Sequence, residues 1–309
     1  MRLKYNTDTQ LFFQIGDPVD HSTAAFLHNA MYDIANVDAI CLPVFVKRGN
    51  LSEFVHAAKV IGLSGFDITM PHKSDIIPLL DECDEVSRRF HCVNHVKIRD
   101  GKLIGVGLDG MGMGIAVHNR MPKLEGKTLL LLGAGAVAGL IAADLCKRGC
   151  SRIIIANRTQ SKADAIAATL REVYQVEAEG GPLEAHFLNM CAREADIVAQ
   201  CTSLGMAGSS QDYTSLDFMQ QLRPQTLCAD VLYPTSTFLE TAKSLGLPCI
   251  NGLDMLLNQQ IAMIDFHFGI KLPQECLTIA EESLACAVTL RNLRDERLTK
   301  QQNQRRQMS

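Results

Sequence analysis

The sequence lacks an excess of charge of either sign. Its 30 Lys and Arg against 34 Asp and Glu leave a formal net charge of −4 over 309 residues. That balance gives no polyanion-binding surface, so nucleic acid is not an expected partner. Met1 to Gln14 lacks the long apolar core of a secretory signal, and no export signal is expected there. The longest apolar stretch, Thr128 to Cys146, is interrupted by Gly133, Gly135, Gly139 and Asp144. A strand, a tight turn and a helix account for that pattern better than a membrane span does. No internal repeat is present. Cysteine, by contrast, is plentiful. Eleven is an odd number, and Cys41, Cys146, Cys201 and Cys228 lie inside apolar stretches. They read as buried free thiols in a reducing compartment, which points to the cytoplasm.

What is present is an alternation of short β-rich runs and amphipathic helical runs. Leu11–Ile15, Ala39–Val46 and Phe66–Met70 read as strands, with helical spacing at Thr23–Ala35 and Leu51–Ile61. Val93–Ile98 and Leu103–Gly107 flank Asp100-Gly101 and read as a hairpin. A helix from Gly110 to Arg120 follows. A second alternation begins at Thr128, with strands at Thr128–Leu132, Arg152–Ala156, Asp196–Cys201, Leu227–Leu232 and Leu247–Ile250. Its clearest helices are Ser161–Val173 and Thr237–Leu245. Beyond Gly252 the pattern is helical, over Leu253–Phe268 and Ile279–Leu293. This predicts an α/β protein of two domains, each with a parallel-type sheet and the second doubly wound. Residues 1–109 with 253–298 form one domain, 110–252 the other, and 299–309 a frayed or disordered tail. A ligand cleft is expected between two such domains.

Leu129 to Leu132 run into Gly133-Ala134-Gly135-Ala136-Val137-Ala138-Gly139: a strand, a glycine loop and a helix start. The first glycine permits the tight turn. The second lets a pyrophosphate approach backbone N–H groups at the helix N-terminus. The next strand ends in Asn157-Arg158-Thr159. A site selective for NAD usually places an acid there to grip the ribose 2′-hydroxyl. An arginine suits a 2′-phosphate, with Lys162 one turn further on, so NADP is the expected cofactor and NAD the alternative.

Several segments in fixed order resemble the shikimate/quinate dehydrogenase family. They are Gly16-Asp17-Pro18-Val19-Asp20-His21-Ser22 with His28-Asn29, and Gly65-Phe66-Asp67-Ile68-Thr69-Met70-Pro71-His72-Lys73. Val93-Asn94, Asp109-Gly110-x-Gly112, the glycine loop and Asn157-Arg158-Thr159 follow. Thr202-Ser203-Leu204-Gly205-Met206 and Gly252-Leu253-x-Met255-Leu256-x-x-Gln259 complete the set. The resemblance implies an alcohol–ketone oxidoreductase with Lys73 and Asp109 as catalytic pair. It implies substrate contacts from Ser22, Thr69, Asn94, Tyr233 and Gln259. Cofactor contacts would come from Gly133, Ala134, Gly135, Ala136, Val137, Asn157, Arg158, Thr159, Lys162, Thr202, Met206, Val231, Gly252 and Met255. The substrate would be a small cyclic hydroxy acid or polyol, and the assembly a monomer or homodimer. The pair also makes chemical sense: hydride reduction of a ketone leaves an alkoxide, which a lysine can stabilise and protonate.

Departures from the family pattern concentrate around the substrate. Ser22-Thr23-Ala24-Ala25 stands for Ser-x-Ser-Pro, which removes a carboxylate-binding hydroxyl. Asp67 replaces an Asn. His91-Cys92 replace small residues, His95 a Thr, and Gln200 an Asn. A carboxylate at 67 repels an anionic substrate unless a histidine at 91 or 95 pairs with it. These changes predict the same chemistry on an altered ring, with the ordinary biosynthetic shikimate dehydrogenase and a non-catalytic dinucleotide sensor as alternatives. His91, Cys92 and His95 read as pocket or packing residues, and no metal site is expected.

Overall fold

A computed structural model describes residues 5–19, 22–206, 211–233 and 235–308. Asp20 and His21 of the quoted motifs, and Ser309 of the expected tail, lie outside the described residues. Packing divides the chain into two compact units. One comprises Met1–His72, Lys97–Gly101 and Gln260–Ser309; the other comprises Lys73–Val96 and Lys102–Gln259.

The first unit opens with β1 (Gln10–Gly16), α1 (Ala24–Ile34), β2 (Ala39–Phe45), α2 (Leu51–Val60) and β3 (Gly65–Ile68). β1 pairs in parallel with both β2 and β3. β1 is buried on both faces toward its end, with Phe12 and Ile15, on opposite faces, at or near zero exposure. The chain then enters the second unit with β4 (Glu82–Cys83) and α3 (Glu85–Arg89), followed by β5 (His95–Arg99), whose Lys97–Arg99 belong to the first unit, and β6 (Lys102–Val106). Asp100 and Gly101, between β5 and β6, both take positive φ (52° and 74°), as a two-residue turn of this kind requires. α4 (Asp109–Arg120) starts at Asp109 itself, so this carboxylate sits in a first helical turn, where the helix dipole favours negative charge.

The second unit continues through β7 (Thr128–Leu132), α5 (Ala136–Lys147), β8 (Arg152–Asn157), α6 (Gln160–Tyr174), β9 (Glu177–Pro182), α7 (Ala185–Ala192), β10 (Ile197–Gln200), β11 (Leu227–Asp230), α8 (Thr237–Ser244), β12 (Cys249–Ile250) and α9 (Gly252–Asn258). Its sheet is parallel, in the order β12-β11-β10-β7-β8-β9. Every residue of β7 is buried, and alternate residues serve opposite faces. Leu129 and Leu131 join a core with Ile141 and Leu145 of α5 and Leu170 of α6. Leu130 and Leu132 join another with Leu188 of α7 and Phe238 and Leu239 of α8. A strand apolar on both faces is what a doubly wound sheet requires, and it explains the Leu129–Leu132 run. Among the described residues no helix is long and apolar enough to cross a membrane.

β9 escaped the sequence reading because it is polar and glycine-containing. It is an edge strand, and its glycines are there for packing. A Cβ on Gly180 would lie 2.6 Å from the Asp164 backbone nitrogen, and one on Gly181 2.2 Å from the Phe187 ring. The helical run expected over Leu253–Phe268 is two helices, α9 and α10 (Gln260–Phe268), parted at Gln259. α11 (Cys276–Met308) continues through the polar stretch for which a frayed tail was expected. That stretch is rich in Gln, Arg and Lys, which are good helix formers.

Candidate active site

Lys73 lies in the turn that follows β3. Its Nζ donates to Asp109 Oδ2 at 2.6 Å, with 15% of the lysine side chain and 4% of the aspartate exposed. Burial by itself would lower the Lys73 pKa. The Asp109 carboxylate outweighs it, helped by the Cys92 thiol and the Tyr233 phenol, and holds Lys73 above its ordinary value. The lysine is therefore a retained ammonium with its proton shared toward a carboxylate.

Asn94 binds this pair from the other side. Its Nδ2 donates to Asp109 Oδ1 at 3.0 Å and to Gln259 Oε1 at 2.9 Å, while its Oδ1 accepts from the Leu108 backbone at 2.7 Å. Both amide hydrogens of Asn94 are thus engaged, and only one lone pair on Oδ1 remains for a ligand. Gln259 is delivered by close helix packing: a Cβ on Gly112 of α4 would lie 2.3 Å from the Met255 carbonyl of α9 and 3.2 Å from Gln259 Cβ. The glycine of the Asp109-Gly110-x-Gly112 segment is needed because α9 crosses there. Gly252 likewise lets the chain pass the Val231 carbonyl, which an added Cβ would meet at 2.3 Å, and the Tyr233 ring at 2.9 Å.

The glycine loop follows β7 beside the turn after β10, at the point where the sheet order reverses, the usual place for a ligand in such folds. Gly133 has φ 103°, and a Cβ on it would meet Thr202 Cγ2 at 2.7 Å, so the two loops touch. Gly135 is exposed at the N-terminus of α5, with no side chain capping the helix. Ala136 and Val137 of its first turn are half-buried. Ala138 is fully buried against the sheet, and Gly139 instead makes room for the Phe90 ring, 2.2 Å from its Cβ position. Asn157 pins this loop: its Oδ1 accepts from Ala134 N at 3.1 Å, and its Nδ2 donates to the Thr159 carbonyl at 2.9 Å.

Sequence reasoning missed the residues that hold Thr202. Gln200 Oε1 accepts from Thr202 N at 2.5 Å, its Nε2 donates to Leu204 O at 3.2 Å, and the Tyr213 hydroxyl lies 3.3 Å from Thr202 Oγ1. Met206 closes the turn through a bridge to Ser236. Val231 N donates to the Gln200 carbonyl. Asp230 accepts from Leu232 N at 2.8 Å and from the Ser236 hydroxyl, and burial pushes its pKa to about 7.

Arg158 and Lys162 are exposed just beyond β8, and neither side chain pairs with any described residue. A guanidinium left free at the end of this strand is available to a 2′-phosphate. Arg158→Ala is expected to raise the Michaelis constant for NADP by losing about 1.5–3 kcal/mol of binding, with little effect on NAD. Steady-state kinetics with both cofactors check this. A variant unchanged with either cofactor would remove Arg158 from the site.

In the first unit Ser22 Oγ accepts from Gln14 Nε2 at 2.6 Å and from Ala24 N at 3.3 Å. Thr69 N donates to Ile15 O at 2.9 Å, and its methyl packs so close to Gly16 that a Cβ there would lie 2.4 Å away. Asp67 has a histidine partner in His28, Nε2 to Oδ2 2.8 Å with both side chains buried, and His267 Nε2 lies 3.9 Å from Oδ1. His28 Nδ1 sits 2.9 Å from Gln260 Oε1. Burial would lower the His28 pKa, but Asp67 raises it more, with help from Gln260. A protonated His28 compensates the carboxylate's charge. His91 is exposed at φ 50°, and Cys92 is fully buried.

Residues 14–96 match the family model described as the shikimate dehydrogenase substrate binding domain, and residues 116–231 match shikimate / quinate 5-dehydrogenase. A shikimate dehydrogenase (NADP+) of Alkaliphilus metalliredigens is 34% identical over 280 residues, covering 89% of this chain and 97% of its own. A crystal structure of shikimate dehydrogenase in complex with NADP+ superposes with a TM-score of 0.79 at 29% identity, over 91% of this chain and 96% of its own. The ligand-free 5-ketofructose reductase of Gluconobacter sp. strain CHM43 gives 0.74 at 30% identity, over 91% and 99%.

Proposed function

The chain belongs to the shikimate/quinate dehydrogenase family of NAD(P)-dependent oxidoreductases, and we propose that it interconverts a secondary alcohol and a ketone on a shikimate-like ring, with NADP as cofactor. The observation that carries this reading is the 2.6 Å contact between Lys73 Nζ and Asp109 Oδ2 at a partly exposed position beside Tyr233. In this reading residues 1–109 and 253–298 serve the substrate, and 110–252 serve the cofactor.

The glycine loop, the uncapped start of α5 and the unpaired Arg158 suit a phosphorylated dinucleotide, which when bound supplies or accepts the hydride. In reduction, Lys73 donates its proton to the oxygen left negative as the carbonyl becomes an alcohol. Asp109 orients the ammonium and keeps it charged. In oxidation the same lysine, once neutral, takes the hydroxyl proton. Asn94 holds Asp109 in place, and Gln259 and Ser22 serve as substrate contacts.

The relatives favour 3-dehydroshikimate and shikimate as the substrate pair over the altered ring expected from Ala24 and Asp67. The Asp67–His28 contact supports the same choice, because a protonated His28 offsets the repulsion on which that expectation rested. Ala24 favours a second reading, an uncharged keto-polyol, since the hydroxyl usual at that position is absent. Initial rates with shikimate and with cyclic and open-chain polyols, each with NADP and NAD, separate the two. Turnover of shikimate with NADP at the efficiency of ordinary metabolic enzymes supports the first reading. Activity confined to uncharged polyols supports the second, and none with any ring or polyol alcohol overturns both.

A further inference from the structure

One backbone amide fixes the polarity of a chain of side chains in the second unit. The Leu108 N–H can only donate, and it meets the Asn94 side chain at 2.7 Å. The atom it meets is therefore Oδ1, and the other end of Asn94 is its NH2. That NH2 reaches Gln259 at 2.9 Å, so Gln259 must present its oxygen there. His95 Nε2 lies 3.4 Å from the same oxygen, and the ring is buried. A carbonyl oxygen cannot donate, so the hydrogen belongs to His95 Nε2. Gln259 Oε1 thus accepts from two residues, while its Nε2 donates to no described residue. Nor is that nitrogen among the fully buried polar atoms left without a partner, so it reaches the accessible surface.

We propose that His95 is a specificity-determining positioning residue. With Asn94 it locks the Gln259 carboxamide so that only N–H groups are offered to the substrate, and the substrate oxygen bound there is an acceptor, a carboxylate or hydroxyl oxygen. This rests on the reading of Gln259 as a substrate contact given above. The family pattern has Thr at this position. A hydroxyl rotates and both donates and accepts, whereas an Nε2–H imidazole can only donate to Gln259 Oε1.

Two measurements test the proposal. Long-range proton–nitrogen NMR of the full-length, nitrogen-15-labelled protein reads the His95 tautomer without any ligand. Hydrogen on Nε2 is expected, and a neutral ring with hydrogen on Nδ1 overturns the inference. Kinetics supply the other arm, with NADP and the ring alcohol found active. His95→Leu is expected to raise the Michaelis constant for that substrate about 2- to 10-fold, the effect of one lost neutral hydrogen bond, and to leave that for NADP unchanged. His95→Gln, whose Nε2 can take the place of the ring Nε2, is expected to recover it. Gln259→Glu offers only acceptors and should raise the constant for an anionic substrate by more than about tenfold. An unchanged constant in His95→Leu, or no recovery in His95→Gln, overturns the role of His95. Absence of turnover of any ring or polyol alcohol by the unmodified protein overturns the functional reading instead, and the tautomer then decides the inference alone.

Discussion

Lys73→Ala is expected to lower turnover by a factor on the order of 10²–10⁴ in both directions, as for a lost general acid–base. The reason is specific to this site. Lys73 is the ammonium of the Lys73–Asp109 pair, and Asp109 holds its proton through the neutral range. Its described hydrogen-bond neighbours cannot replace it: Asn94 and Gln259 are amides, and the nearby Cys92 thiol is pushed up to about 12 by burial. NADP binding, measured by direct titration, is expected to stay close to normal, because Lys73 is not part of the glycine loop or of the Arg158 strand end. A Lys73→Ala protein that binds NADP and turns over at a near-normal rate would remove Lys73 from the chemistry.

Asp109→Asn is expected to impair turnover and to move the pH profile as well. Burial alone lowers the Lys73 pKa, and Asp109 is the main influence opposing it. Without the carboxylate, the alkaline limb of ketone reduction, which needs the protonated lysine, should fall at lower pH. Alcohol oxidation, which needs the neutral lysine, should begin to rise at lower pH for the same reason. A stability change accompanies this. A lysine whose folded pKa is raised stabilises the fold fully below its ordinary value of 10.5, and that contribution fades as pH rises through the raised value. Paired pH–rate profiles of kcat/KM for the unmodified and Asp109→Asn proteins, taken in both directions, decide the matter. Coincident alkaline limbs would mean that Asp109 does not set the protonation of Lys73.

Much of the fold was legible in the sequence because its signals are local. The Leu129–Leu132 run, with a positive-φ glycine behind it, marks a buried parallel strand entering a turn whatever surrounds it. Asp100-Gly101 marks its turn in the same way. Elements whose residues answer to distant neighbours were missed. β9 is polar and owes its glycines to Asp164 and Phe187, and α9 and α10 part at Gln259 without a proline or glycine to announce it.

The site divides along the same line. Local pattern and motif order singled out the glycine loop, Arg158, Lys73 and Asp109 as candidates, because each sits in a segment whose spacing is fixed by local backbone geometry. The partnerships came from tertiary structure. Asp67 meets His28 at 2.8 Å, a partner the sequence did not single out. Thr202 is held by Gln200 and Tyr213, and Asn94 and His95 meet Gln259 across separations of 165 and 164 residues. The physical reason is that a strand period or a left-handed turn is a property of a few consecutive residues. A hydrogen bond's polarity is different: a donor becomes assigned only when its acceptor is brought within reach, and here that begins at the Leu108 amide and passes through Asn94 to Gln259 and His95.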